Sequence, residues 1–536
     1  MLIMWENCVI ITKHDKIEFG RFMLKKRKIR KIFNRNFLII LMMLVQVSFL
    51  AMCLLRIWQN VAIILGFQTV LGFVFVCYIV NRQNTNPAYK LVWSIVISLF
   101  PLFGSFLYIL IHADLGIRNF KRVHNYAVKK TKPLLPQDYT AMKNIESENP
   151  YIANLARYVH DFGGYPIYRN TYVEYFGVGE EKFDALIREL EKAEKFIFLE
   201  YFIIDQGYVW NTVFDILKRK AAQGVDVRLM YDGMGTQMIL PNHYEKYIAS
   251  KGIKCKVFNP FRPFLSSVQN NRDHRKIVVI DGETAFNGGI NLADEYINEK
   301  IRFGHWKDTA VMLKGEAVWS FTMMFLQMWG LDEKKGFNYT AYKPQNSYRF
   351  TYDCSGYVMP YGDSPTDDEN VGELVYLDII NKAKKYVYIT TPYLIIDNEM
   401  ITALGFAVKS GVDVRIIVPH IPDKWYVNVL SWNYYKELIK LGVKIYEYIP
   451  GFIHAKNFVS DDHTAIVGTI NMDYRSLYLH FECATLMHNT KSVYEVKRDF
   501  VETLKKCRKI TLRDCDDRPV LKKAAGSVLR LVAPLL

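Results

Sequence analysis

Apolar residues are concentrated at the start of the chain. Phe37–Leu55, Val61–Val80 and Leu91–Ile111 run for nineteen, twenty and twenty-one residues without a charged side chain. At 1.5 Å per residue, about 20 apolar residues of helix cross a hydrocarbon core of about 30 Å. Three such runs in succession predict a membrane region over 37–111. No small-residue cleavage site follows the first run, which argues against a removed leader. Pro101 and Gly104 sit in the middle of the third run and predict a kinked, re-entrant or interfacial segment there. Basic residues stand on both sides of the region, Lys25 to Arg35 within segment 1–36 and Arg118 to Lys132 after Ile111. Both groups belong on the cytoplasmic face. The pattern therefore predicts two full crossings, a multi-pass cell-membrane protein and a cytoplasmic body.

From about residue 133 the pattern changes to short β-branched and aromatic strands alternating with amphipathic helices, and it occurs twice. Lys195-Phe-Ile-Phe-Leu-Glu-Tyr-Phe-Ile-Ile-Asp205 resembles Lys385-Tyr-Val-Tyr-Ile-Thr-Thr-Pro-Tyr-Leu-Ile-Ile-Asp397, and Gly224-Val-Asp-Val-Arg has its twin in Gly411-Val-Asp-Val-Arg. Helical patterns over Glu180–Lys195 and Leu374–Lys385 precede the strands. The expected organisation is an α/β pseudo-dimer with a first half over 133–331, a linker over 332–349 and a second half over 350–517. The tail 518–536 is amphipathic, and its helical spacing fits both docking to the body and lying on a membrane surface.

Sixty-nine Lys and Arg against fifty-four Asp and Glu give a net charge of +15. That surplus calls for a polyanionic partner, an anionic lipid surface or nucleic acid. The basic residues beside the apolar runs favour lipid. The eight cysteines form no CxxC pair, which indicates neither a disulfide framework nor a structural zinc site.

The candidate chemistry also occurs twice. His274-Arg-Lys276 with Asp281 and then Asn291 is repeated as His454-Ala-Lys456 with Asp461 and then Asn471, every residue offset by 180. One HxKx4D match is weak; two in register are not chance. On an extended segment, His and Lys at i and i+2 point to the same side. A neutral imidazole can attack phosphorus, a neighbouring ammonium can hold a phosphate oxygen, and an Asn amide can donate to it. Two half-sites on a pseudo-twofold axis would then form one phosphodiester-cleaving centre, the second His protonating the leaving alkoxide. No metal ion and no cofactor is expected.

These paired motifs resemble the signature of the phospholipase D superfamily. Asn86-Pro-Ala-Tyr-Lys-Leu-Val-Trp93, Asn291-Leu-Ala-Asp-Glu-Tyr296, Trp306-Lys-Asp-Thr309, Thr391-Pro-Tyr393 and Asn471-Met-Asp-Tyr-Arg-Ser476 are similar to bacterial cardiolipin synthases. The resemblance implies two pseudo-symmetric domains of mixed sheets flanked by helices, after N-terminal transmembrane helices, with the site at their seam. It implies phosphatidyl transfer between two phosphatidylglycerols, with His274 and His454 as the catalytic pair. Lys276, Lys456, Asn291 and Asn471 would bind phosphate, and Asp281 and Asp461 complete the catalytic motif, more as fixers of loops or of a His than as substrate contacts. Phosphatidylglycerol in an anionic bilayer is the implied partner. A hydrolytic phospholipase D, a membrane-tethered nuclease and a non-catalytic scaffold remain open on these residues alone.

Overall fold

The computed structural model describes residues 35–54, 61–83, 85–112, 115–260, 267–333, 337–344 and 354–535. Nearly all of the basic segment 1–36, and residues 334–336 and 345–349 of the linker 332–349, lie outside the described residues. The helices of the membrane region form one compact unit, and the chain from Leu115 onward, apart from 262–267, forms another.

In the first unit, α1 (Arg35–Leu54) and α2 (Val61–Asn81) take up the first two apolar runs. Among the described residues one helix, Ala62–Asn81, is long and apolar enough to cross a membrane. Its outward Ile63, Phe67, Val70 and Phe73 are exposed, as suits contact with lipid. The third run is not one crossing helix. It is two short helices, α3 (Pro87–Leu99) and α4 (Pro101–His112), of 13 and 12 residues. Each rises about 18–20 Å, too little for a bilayer core. Phe100 leaves the helical region at φ −134°, and Pro101 restarts the helix where its missing N–H costs nothing. Gly104 lets the two helices close up, since a Cβ there would lie 2.9 Å from the Ile97 Cα.

The second unit opens with α5 (Leu115–Thr131), tied to the loop after residue 363 by a 2.7 Å Lys121–Asp368 ion pair and by Asn125. The first half follows as β1 (Thr171–Phe176), α6 (Gly179–Glu191), β2 (Phe196–Tyr201), α7 (Tyr208–Ala222), β3 (Asp226–Asp232), β4 (Lys254–Phe258), β5 (Ile277–Ile280), β6 (Thr284–Gly288), β7 (His305–Lys307), β8 (Ala310–Gly315) and α8 (Val318–Trp329). All twelve residues of α8 are buried, making it the central helix of the core. The second half contains β9 (Tyr357–Asp363), α9 (Val371–Lys382), β10 (Tyr386–Thr390), β11 (Leu394–Ile395), α10 (Asn398–Lys409), β12 (Asp413–Pro419) and α11 (Trp425–Leu441). It continues with β13 (Lys444–Tyr448), β14 (Gly451–Ile453), β15 (Asn457–Ser460), β16 (Thr464–Gly468), β17 (Met472–Asp473), β18 (Glu482–His488), α12 (Lys491–Leu504) and β19 (Cys507–Lys509). The chain ends with α13 (Val520–Val532).

Seven strands of each sheet correspond in order, and the second sheet has one more, β19, at its edge beside β13. The first sheet runs β1-β8-β6-β5-β2-β3-β4 and the second β9-β18-β16-β15-β10-β12-β13-β19. Each is mixed: β2 pairs parallel with β3 and antiparallel with β5, and β10 does the same with β12 and β15. The halves are joined where β7 pairs parallel with β14. The N–H of His274 donates to the carbonyl of Phe481 at 2.9 Å, and that of His454 donates to Lys307 at 2.7 Å.

Helices α6 and α9 stop at Glu191 and Lys382, short of the Lys195 and Lys385 that their apolar spacing predicts. The reason is a carboxylate that holds the following turn open. Asp281 accepts from the N–H groups of Glu194, Lys195 and Phe196, and Asp461 from those of Lys384, Lys385 and Tyr386, at 2.6–2.9 Å. Backbone donors claimed by an acceptor outside the helix cannot continue it.

Candidate active site

Residues 273–276 enter β5 extended, so alternate side chains face opposite ways. His274 and Lys276 share one side. Asp273 and Arg275 take the other, where Arg275 Nη2 lies 2.5 Å from the buried Glu200 of β2 and Nε donates to Asp273 at 3.2 Å. Glu200 is thus a charge in a strand otherwise made for the core, present to neutralise the residue between His274 and Lys276. In the second half Ala455 occupies that position and needs no partner.

The duplicated residues meet at a cavity of about 450 Å³ between the halves. His274, His454, Asn291 and Asn471 all line it. Lys276 and Lys456 stand just behind the histidines; Lys276 Nζ donates to the His274 carbonyl at 2.5 Å, and Lys456 Nζ bonds the His454 carbonyl in the same way. Phe202, Trp306, Tyr393, Phe452 and Leu430 supply apolar wall.

Each imidazole is held by a carboxylate from the other half. His274 Nδ1 lies 2.9 Å from Glu482 Oε1, and His454 Nδ1 lies 2.6 Å from Asp308 Oδ2. A carboxylate only accepts, so Nδ1 carries the proton and Nε2 keeps its lone pair. Lys456 Nζ also sits 2.9 Å from His454 Nδ1. An ammonium has no lone pair to offer and Nδ1 cannot serve both groups; the shorter contact is to Asp308, and attraction to that carboxylate accounts for the nearness of Lys456.

Burial, then the two lysines, push both imidazoles well below the usual histidine range. Burial pulls Lys276 down to about 8 and Lys456 to about 7, and pushes Asp308 up to about 6. The result is a pair of neutral imidazoles beside two cations poised to lose their charge.

Asn291 accepts from the Ile203 N–H at 3.0 Å and spends one of its amide hydrogens on the Tyr296 hydroxyl at 2.6 Å, leaving the second for a ligand. The Asn471 side-chain oxygen is buried without a hydrogen-bond partner. Asp281 and Asp461, grouped with the catalytic residues by their motif, do not enter the cavity. They lie beyond the opposite ends of β5 and β15, at φ +54° each, and close the turns before β2 and β10. Of the two tasks expected of them, fixing loops is the one the geometry gives; orienting the histidines falls to Glu482 and Asp308.

Those two acids were not singled out from the sequence. Asp308 lies in the Trp306-Lys-Asp-Thr309 segment and Glu482 opens β18, but their offset is 174, not 180, so the motif register misses them. His480 is a further unanticipated neighbour, its ring 5.6 Å from that of His274. Burial holds it down to about 3. Among the described residues, His274, His480 and Glu482 form the group able to offer three ligand atoms to a metal, all within 4.8 Å of one another. A metal there would engage the same imidazole that the cavity presents.

A duplicated mixed sheet carrying paired His and Lys at the seam defines an enzyme of the phospholipase D class. The family model described as "Cardiolipin synthase, PLD-like domain" matches residues 186–329 and 376–504, and one described as "Phospholipase_D-nuclease N-terminal" matches 70–111. A cardiolipin synthase of Geobacillus sp. (strain WCH70) is 35% identical over 86% of this chain and 92% of its own length, and that of Geobacillus kaustophilus is 34% identical over 88% and 94%. Among solved structures, a phosphatidylserine synthase of Haemophilus influenzae shares the fold, with a TM-score of 0.52 at 15% identity over 71% of this chain and 98% of that one. The chain belongs to the cardiolipin synthase family, phosphatidyltransferases of the phospholipase D type.

Proposed function

We propose that the enzyme transfers the phosphatidyl group of one phosphatidylglycerol to the glycerol hydroxyl of a second, giving cardiolipin and free glycerol through a phosphohistidine. The observation that carries this reading is the pair of neutral imidazoles, each with Nδ1 committed to a carboxylate and Nε2 left free, on one cavity with two buried lysines. Burial and then the two lysines keep the imidazoles neutral; an anionic phosphodiester bound between Lys276 and Lys456 offsets the second of these, and one imidazole takes up a proton. The other attacks phosphorus; the bond to the headgroup glycerol breaks, and the protonated imidazole gives its proton to the departing alkoxide. In the second step the same imidazole takes the proton of the incoming lipid hydroxyl, whose oxygen displaces the histidine from phosphorus. Asn291 and Asn471 donate to the phosphoryl oxygens, and the protein's own residues supply every proton transfer.

Water at about 55 M competes for the phosphoenzyme, so a transferase must hold its acceptor in place; effective molarities for oriented groups exceed that concentration by orders of magnitude. We place the body on the cytoplasmic face of a multi-pass membrane protein, on the strength of the basic residues flanking the apolar runs.

Labelled phosphatidylglycerol in bilayers, incubated with purified enzyme, is expected to yield cardiolipin with one glycerol released for each. Phosphatidic acid as the main product would sink the synthase reading in favour of hydrolysis. His274→Ala and His454→Ala are each expected to abolish turnover, and EDTA to leave the chemistry intact; activity lost in chelator and restored by one particular metal would contradict the mechanism.

A further inference from the structure

The terminal helix α13 has two apolar faces where a helix docked on a protein surface needs one. Its inner face packs on α11. Gly526 is buried there, with room for no side chain beside Asn433 and the Val429 carbonyl, and Arg530 both pairs with Glu437 at 2.5 Å and lies over the Tyr434 ring. The outer face carries Leu521, Ala524, Val528 and Leu531 and continues to Leu535, a spacing of three and four residues that keeps them in one stripe. Leu521 is 84% exposed and Val528 63% exposed. Docking to the body therefore explains only half of the helix.

Two further observations indicate what covers the other half. From Val520 to Leu536 there is no acidic residue, and with Arg530 already paired to Glu437, Lys522 and Lys523 make the surface beside the stripe cationic. The far end of the helix also reaches the catalytic cavity: Ala533, in the turn that follows α13, lines it, together with Lys424 and Tyr426 at the start of α11. Between those two residues Trp425 is 71% exposed. An apolar stripe, a cationic rim and a projecting Trp beside the mouth of a site are the features by which a surface helix enters the headgroup region of an anionic bilayer.

We propose that α13 is an interfacial helix, bound to the body by one face and sunk by the other into an anionic phospholipid surface, so that the cavity mouth is held at the headgroup plane. The inference rests on the reading of the substrate as a phospholipid. It adds a membrane contact independent of the N-terminal apolar helices, one whose work is to present substrate rather than to anchor the chain.

The full-length enzyme should be assayed on phosphatidylglycerol in bilayers and on dihexanoyl phosphatidylglycerol, which is dispersed in water as monomers. The double variant Leu521→Glu, Val528→Glu is expected to lose about tenfold or more in rate on bilayers, by removing the stripe and adding like charge to the anionic lipid. On the short-chain lipid it should stay within about twofold of the parent, because no surface is then needed. Equal rates for variant and parent on bilayers would overturn the proposal, as would equal losses on both substrates. A benzophenone amino acid at Leu521 reports independently of activity. Illumination in anionic vesicles is expected to give lipid adducts; adducts only to a second copy of the chain, or none, would overturn the proposal. Failure of the parent to turn over either lipid would instead refute the substrate reading, and the photoadduct would still test the helix.

Discussion

Nδ1 of each histidine is committed to a carboxylate of the opposite half, which makes Glu482 and Asp308 positioning residues for His274 and His454. Glu482→Gln and Asp308→Asn keep the shape and remove the charge that fixes the tautomer. By analogy with the loss of the aspartate charge in a serine-protease triad, kcat is expected to fall on the order of 10²–10⁴-fold with little change in KM. The same residues set the pH dependence. Asp308 gains its charge as pH rises through about 6, while Lys456 and Lys276 lose theirs above about 7 and about 8. The proposed mechanism uses the charged carboxylate and both ammonium groups, so kcat/KM is expected to rise through the first value and fall through the other two. A flat profile from about pH 5 to about pH 9 would show that these charges play no part. Added Zn²⁺ is expected to inhibit through His274, His480 and Glu482, and His480→Ala to weaken that inhibition.

At the scale of elements, the motif aspartates belong to turns. Asp281 and Asp461 each gather three backbone N–H groups, and removing either leaves those donors to water or unpaired. Asp281→Ala and Asp461→Ala are each expected to cost about 2–3 kcal/mol in urea unfolding, with kcat of the folded protein changed only severalfold. A loss as deep as that of the histidine variants, in protein that stays folded, would return the aspartates to the chemistry. This outcome could be read only in part from the chain. The helices and strands on either side were legible from period 3.6 and period 2, and the break in the third apolar run from Pro101. Where α6 and α9 stop was not, because the residue that ends each one is about ninety or eighty positions further on, at 281 and 461.

Among the described residues, both halves of one chain line the candidate cavity. Each half brings a histidine and the carboxylate that orients the other half's histidine. A mixture of His274→Ala and His454→Ala enzymes is therefore expected to stay inactive, since neither chain can complete its own seam; recovered lipid turnover on mixing would mean that halves exchange between chains. The amino-acid sequence alone determined the duplication, the offset of 180 between the two motifs, the placement of His and Lys on one side of an extended segment, and the apolar runs at the start. All of these are periodicities, and periodicity is a property of neighbours along the chain. The tertiary structure alone decided which acid meets which histidine, because Asp308 and His454 are 146 residues apart and Glu482 and His274 are 208 apart. Their meeting depends on how β7 lies against β14 and on how Phe481 pairs with the strand of His274. It also decided that both acids, rather than the motif aspartates, reach the histidines: a hydrogen bond across a seam is fixed by the register of two surfaces, and no local pattern encodes that register.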